Sequence, residues 1–136
     1  KRTEPLFEKH ARKTLQALAK KYRMGVISNG KNDRLQRSEI YEWLPIENWF
    51  TSHSTGNRKP QAQLYKTALK AMEVPPHRAV MIGNSWKHDI EGAIKCKMDA
   101  VWIQPKQKRR ISYKKIGKRQ VIIVRSLREI PRLFSV

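Results

Sequence analysis

Ala79-Val80-Met81-Ile82-Gly83-Asn84-Ser85-Trp86-Lys87-His88-Asp89 decides the fold: an unbroken apolar run closes on a glycine, and polar residues then lead to a carboxylate. A run without polar alternation reads as a strand buried on both faces, the kind that parallel sheets use. Three more runs share that character: Met24-Gly25-Val26-Ile27, closed by Ser28-Asn29-Gly30; Ala100-Val101-Trp102-Ile103; and Val121-Ile122-Ile123-Val124. Trp49-Phe50-Thr51-Ser52 reads as a further strand. Helical spacing fills the intervals. Phe7, Ala11, Leu15, Leu18, Ala19 and Tyr22 recur every three or four residues over 5–22, behind Pro5 in a first helical turn. A second helix is predicted from about Asn32 to Leu44, where Pro45 stops it. A third over 61–72 carries Leu64, Tyr65, Ala68, Leu69 and Met72 on one face. A short helix runs from Asp89 to about Lys97, and a last one from about Ser126 to Phe134. Strand runs alternating with helices predict an α/β fold: a three-layer, doubly wound parallel sheet.

At 136 residues the chain is sized for a single domain, 1–136. Thirty Lys and Arg against eleven Asp and Glu give a formal charge of +19, but with 39% hydrophobic residues the chain is not a disordered basic tail. The single cysteine, Cys96, excludes an intramolecular disulfide framework and a cysteine zinc cage. With no apolar stretch of membrane-spanning length, the expectation is a soluble cytoplasmic protein from a reducing compartment, with no membrane partner. The first residue is Lys1 and no signal peptide follows, so an upstream segment is expected.

In doubly wound sheets ligands bind beyond the carboxyl ends of the strands, so chemistry is sought just after each apolar run. Three sites stand there: Ser28-Asn29-Gly30, Lys59-Pro60, and Gly83-Asn84-Ser85 with Asp89. They offer a hydroxyl, backbone N–H groups opening a helix, an ammonium and a carboxylate. The first three favour a phosphate or carboxylate ligand. Each piece alone is ordinary: Ser-Asn-Gly makes turns, an isolated lysine is a solvated charge, and Asp89 could simply cap the next helix. Cys96 reads as a small buried apolar group, Trp102 as strand core, and Trp86 as the tryptophan nearest the candidate site.

Order and spacing together are more specific. Val26-Ile27-Ser28-Asn29-Gly30 through Gln36, then Arg58-Lys59-Pro60, then Met81 through Ala93, then Ala100-Val101-Trp102-Ile103 resembles the haloacid dehalogenase (HAD) superfamily of hydrolases, phosphatase-like branch. Three of the family's four motifs stand in order. The resemblance implies phosphoryl transfer from a small phosphate ester through an aspartyl-phosphate, with Mg²⁺ as cofactor. Ser28 and Lys59 match catalytic positions, and Ser28, Asn29, Gly30 and Lys59 match the phosphate-binding set. Asp89 and Asn84 match the metal-binding motif.

Two departures qualify it. Asn84 stands where the family has an aspartate, which lowers the expected metal affinity. The first motif, an Asp-x-Asp pair after a strand, is absent: the aspartates are Asp33, Asp89 and Asp99, and none stands in that context. In the family the strand bearing that motif lies centrally, between the strands ending at Ser28 and Gly83. A core lacking its N-terminal central strand and its cap is therefore expected, with two edges facing a gap, a segment or second chain completing the sheet, and no activity from this chain alone.

The remaining feature is charge. Residues 106–119 hold eight Lys or Arg and no acid, with Tyr113 among them, and 104–119 reads as a basic loop. A surface this basic attracts phosphate-rich polymers, so a noncatalytic module binding nucleic acid or another polyanion is the second expectation. No recognised nucleic-acid-binding motif accompanies it. Metal-free 2-haloacid dehalogenation is a third, since Ser-Asn-Gly suits that branch as well.

Overall fold

The computed structural model describes residues 9–28, 48–51 and 62–135. The first helix, α1 (Lys9–Lys21), leads to strand β1 (Gly25–Ser28), which pairs in parallel with β2 (Asn48–Thr51). Helix α2 (Ala62–Met72) is followed by a 3-10 turn at Pro76–Arg78 and then β3 (Val80–Gly83). A π-turn, Trp86–Ile90, runs into α3 (Glu91–Lys95), and β4 (Asp99–Ile103) comes next. Strands β5 (Ile111–Ile116) and β6 (Arg119–Val124) form a hairpin, and α4 (Ile130–Phe134) closes the described chain.

Strands β3, β4 and β6 are parallel neighbours, and β5 lies antiparallel on the outside of β6, giving the order β3-β4-β6-β5. The alternation of side chains along β4 and β6 divides the core into two layers. On one face, Val101 and Val124 pack with Leu18 of α1 and Ile130 of α4. On the other, Ala100 and Val121 pack with Ile90 of the π-turn, while Ala93 and Cys96 pack with Tyr65 of α2. Helices on both faces of a mostly parallel sheet make the three-layer α/β architecture read from the apolar runs.

Two differences from the sequence reading, and one feature of the helix ends, have physical causes. The 104–119 run is not loop throughout: Ile111–Ile116 is a strand, because Ile111 and Ile116 are drawn onto the apolar rows of β6 and its neighbours while the lysines between them stay exposed. The continuous apolar run of β3 is only half-buried, with Val80 43% exposed, because β3 is an end strand of its sheet among the described residues. Both α2 and α3 end without a glycine. Glu73 (φ 57°) and Lys97 (φ 66°) take the left-handed conformation instead, so the carbonyls of Leu69 and Lys70, and of Ala93 and Ile94, accept the closing N–H groups.

The pair β1-β2 is a separate two-stranded sheet, and β1 and β3 are not paired with each other. Ile27 of β1 and Met81 of β3 nevertheless pack against the same cluster around Tyr65, so one helix layer covers both. The helix expected over 32–44 lies outside the described residues. Among the described residues no helix is long and apolar enough to cross a membrane.

Candidate functional site

Strand β3 ends at Gly83, and the chain turns over its own last residue. A Cβ added to Gly83 would come within 2.6 Å of Cβ and Cγ of Asp89. The Asp89 carboxylate therefore lies directly on the carboxyl end of β3, where a glycine is the residue that leaves room for it. Asp89 is buried, at 7% exposure.

Ser85 holds that geometry from below. Its N–H donates to Asp89 Oδ2 at 3.1 Å, and its Oγ accepts the His88 N–H at 3.1 Å. Its carbonyl accepts the N–H groups of Asp89 (2.9 Å) and Ile90 (3.1 Å), the widened pattern of a π-turn. Further anchors come from distant parts of the chain. The hydroxyl of Tyr65, a fully buried residue of α2, meets the carbonyl oxygens of His88 at 2.9 Å and Asp89 at 3.0 Å. The Trp102 indole N–H of β4 donates to the Asn84 carbonyl at 3.2 Å, and the Trp102 ring meets Trp86 edge-on at 5.0 Å. Burial pushes the Tyr65 phenol well above its ordinary range, and the neighbouring Asp89 charge pushes it further. Tyr65 thus stays a neutral donor to the turn.

The sequence-predicted residues fall into two groups. Asp89 and Asn84 are brought to the end of β3, Asp89 buried and Asn84 exposed. Ser28 is the last residue of β1, its backbone position being what the structure describes. Asn29, Gly30 and Lys59 lie outside the described residues. His88 is exposed and enters the turn through its backbone. Cys96 is buried beside α2, its Sγ 3.4 Å from the Ala62 carbonyl, and burial raises its thiol pKa. Sequence reading assigned Tyr65 to a helix core face and missed its second role. A tyrosine in a stripe otherwise made of Leu, Ala and Met is the signal, because a buried hydroxyl needs a partner.

Carboxylate and side-chain amide oxygens are the hard donors that suit magnesium, which keeps several waters and takes few protein ligands. Asp89 and Asn84 are donors of that kind. Among the described residues no three His, Cys, Asp or Glu side chains cluster, so these two would form only part of a coordination shell.

Comparison with known proteins matches residues 3–103 to the family described as haloacid dehalogenase-like hydrolase. Glyceraldehyde 3-phosphate phosphatase of Methanothermobacter thermautotrophicus is 37% identical over 89 residues, covering 62% of this chain and 38% of that protein. The enzyme of the same name from Pyrococcus furiosus is 35% identical over 102 residues, covering 69% and 40%. The chain thus spans about two-fifths of the length of these curated relatives. In fold it is similar to a HAD phosphatase from Thermococcus onnurineus, with a TM-score of 0.77 at 22% identity over 93% of this chain and 57% of the other.

Proposed function

The chain belongs to the haloacid dehalogenase-like hydrolases, and from that membership we propose that it forms part of a Mg²⁺-dependent phosphohydrolase acting on a small phosphorylated substrate of the kind that glyceraldehyde 3-phosphate represents. The observation that carries the reading is the buried Asp89 carboxylate seated on Gly83 at the carboxyl end of β3, where it accepts the Ser85 N–H while Tyr65 anchors the Asp89 backbone carbonyl. Phosphatase relatives at 35–37% identity favour it over dehalogenation.

Each residue has a task that follows from its chemistry. Ser28 and the N–H groups of Asn29 and Gly30 donate to phosphoryl oxygens, where aligned donors stabilise charge as it develops. Lys59 offsets the negative charge of the phosphoryl group and of its attacker. Asp89 and Asn84 hold the cation or its waters. Magnesium, when bound, supplies charge neutralisation and in-line alignment. The attacking carboxylate comes from sequence outside this chain, since Asp33, Asp89 and Asp99 lack the strand–Asp-x-Asp context.

The test uses the protein as its gene encodes it, with p-nitrophenyl phosphate and glyceraldehyde 3-phosphate as substrates. Turnover is expected with Mg²⁺, is lost on chelation, and falls at least about a hundredfold in Lys59→Ala and Asp89→Asn. Turnover that survives both substitutions, or chloride release from a 2-haloacid in place of phosphate release, overturns the proposal.

A further inference from the structure

The hairpin of β5 and β6 carries the densest charge in the chain, and the phosphohydrolase reading gives that charge no task. Strand β5 ends its sheet, so one side of its backbone is unpaired among the described residues. Exposed lysines on such an edge have an ordinary use, which is to block edge-to-edge aggregation. Here residues 106–119 present eight cations and no acid.

Three of the eight are engaged. Arg110 pairs with the buried carboxylate of Glu129 at 3.3 Å, Arg119 lies 4.0 Å from Asp99 and donates to the Lys97 carbonyl, and Lys114 sits over the Trp86 ring at 5.0 Å. Lys106, Lys108, Arg109, Lys115 and Lys118 are exposed, with no carboxylate partner among the described residues. Tyr113 stands with them, 62% exposed, and shares one face of β5 with Lys115. Arg125 extends the stripe, because its N–H bonds the Arg110 carbonyl at 3.2 Å. The surface therefore combines a row of unneutralised cations with one aromatic ring left in solvent. A polyanion satisfies the first; a polyanion with stackable planar groups satisfies both.

We propose that the β5–β6 hairpin and the loop before it form a docking surface for single-stranded nucleic acid, phosphates along Lys106, Lys108, Lys115 and Lys118 and a base against Tyr113. With Arg109 as the fifth, five protein cations displacing counterions from a single strand give a salt slope of about −3.5, so affinity falls roughly a hundredfold between 50 and 200 mM salt.

The test is fluorescence anisotropy with a labelled oligouridine about twelve nucleotides long, across that salt range. Lys108→Glu/Lys115→Glu/Lys118→Glu is expected to weaken binding at least about thirtyfold at low salt and to flatten the slope to about −1.5. Lys13→Glu/Lys66→Glu/Lys70→Glu removes the same charge from exposed helix positions and is expected to change affinity less than about threefold. Tyr113→Ala should lose about fivefold or more with the slope unchanged, and Tyr113→Trp should restore it. Circular dichroism verifies that each variant is folded. Equal weakening by the two triple variants would show diffuse attraction to a basic protein and overturn the proposal. So would no binding at low salt, tighter binding of a duplex, or an inert Tyr113→Ala.

Discussion

Gly83 and Asp89 occupy each other's space: the carboxylate lies where any other side chain at 83 would begin. Gly83→Ala must push Asp89 off the end of β3 or bend the strand, and overpacking of this kind costs about 1–3 kcal/mol. Urea unfolding of Gly83→Ala is expected to show that loss, and phosphatase turnover of the encoded protein should fall with it. A variant with the wild-type midpoint and turnover would mean that Asp89 needs no such seat. Tyr65 offers a finer dissection. Tyr65→Phe keeps the volume and removes the hydroxyl that meets the His88 and Asp89 carbonyls, so a loss of about 1–2 kcal/mol is expected. An unchanged midpoint would make Tyr65 a packing residue only. Asp89 and Gly83 were legible as candidates from their spacing after an apolar run. The hydroxyl contact was not, because Tyr65 is twenty-four residues from Asp89.

At the scale of elements, periodicity located β1, β3, β4, β6 and α2 to within a residue or two, because their apolar rows are long enough to show a period. The strand β5 escaped. Its Ile111-Ser-Tyr-Lys-Lys-Ile116 pattern lacks a clean alternation, and it is held by pairing to β6 rather than by propensity. The ends of α2 and α3 were read to within two residues; what no signal wrote, without a glycine, is the left-handed conformation at Glu73 and Lys97. That makes a prediction at Glu73. A left-handed residue with a side chain is strained, so Glu73→Gly should raise stability by about 0.5–1 kcal/mol in urea unfolding, and Glu73→Ala should not. If glycine destabilises as alanine does, the turn is held by the Glu73 side chain rather than limited by it.

For the molecule as a whole, buried protonated groups tie stability to pH. The Cys96 thiol and Tyr65 phenol both hold their protons more tightly in the fold than in the unfolded chain, chiefly because burial penalises the anion. The unfolded chain releases these protons near pH 9 to 10. Their contribution is thus complete below about pH 9 and is lost as pH rises toward the higher folded values. The melting temperature should therefore fall between pH 9 and 11, and more shallowly in Tyr65→Phe than in the wild type. A flat profile in the wild type, or an equally steep one in the variant, would contradict the assignment to Tyr65. The split between the β1-β2 pair and the four-stranded sheet is a further whole-molecule property. The family resemblance, which implies a strand between those ending at Ser28 and Gly83, leads to the expectation of two edges there.

Apolar runs and helical spacing are local, and local signals suffice for strands, helices and the α/β class; the order of motifs added the family. Tertiary structure alone decided which distant groups meet. Tyr65 and Trp102 converge on the turn that seats Asp89 on Gly83, because packing α2 on the sheet and pairing β4 beside β3 bring together atoms far apart along the chain. The same holds for the hairpin, where pairing with β6 turns a basic run into an ordered edge with Tyr113 in solvent. Backbone hydrogen bonds to β6, together with the packing of Ile111 and Ile116 against the core, made that choice.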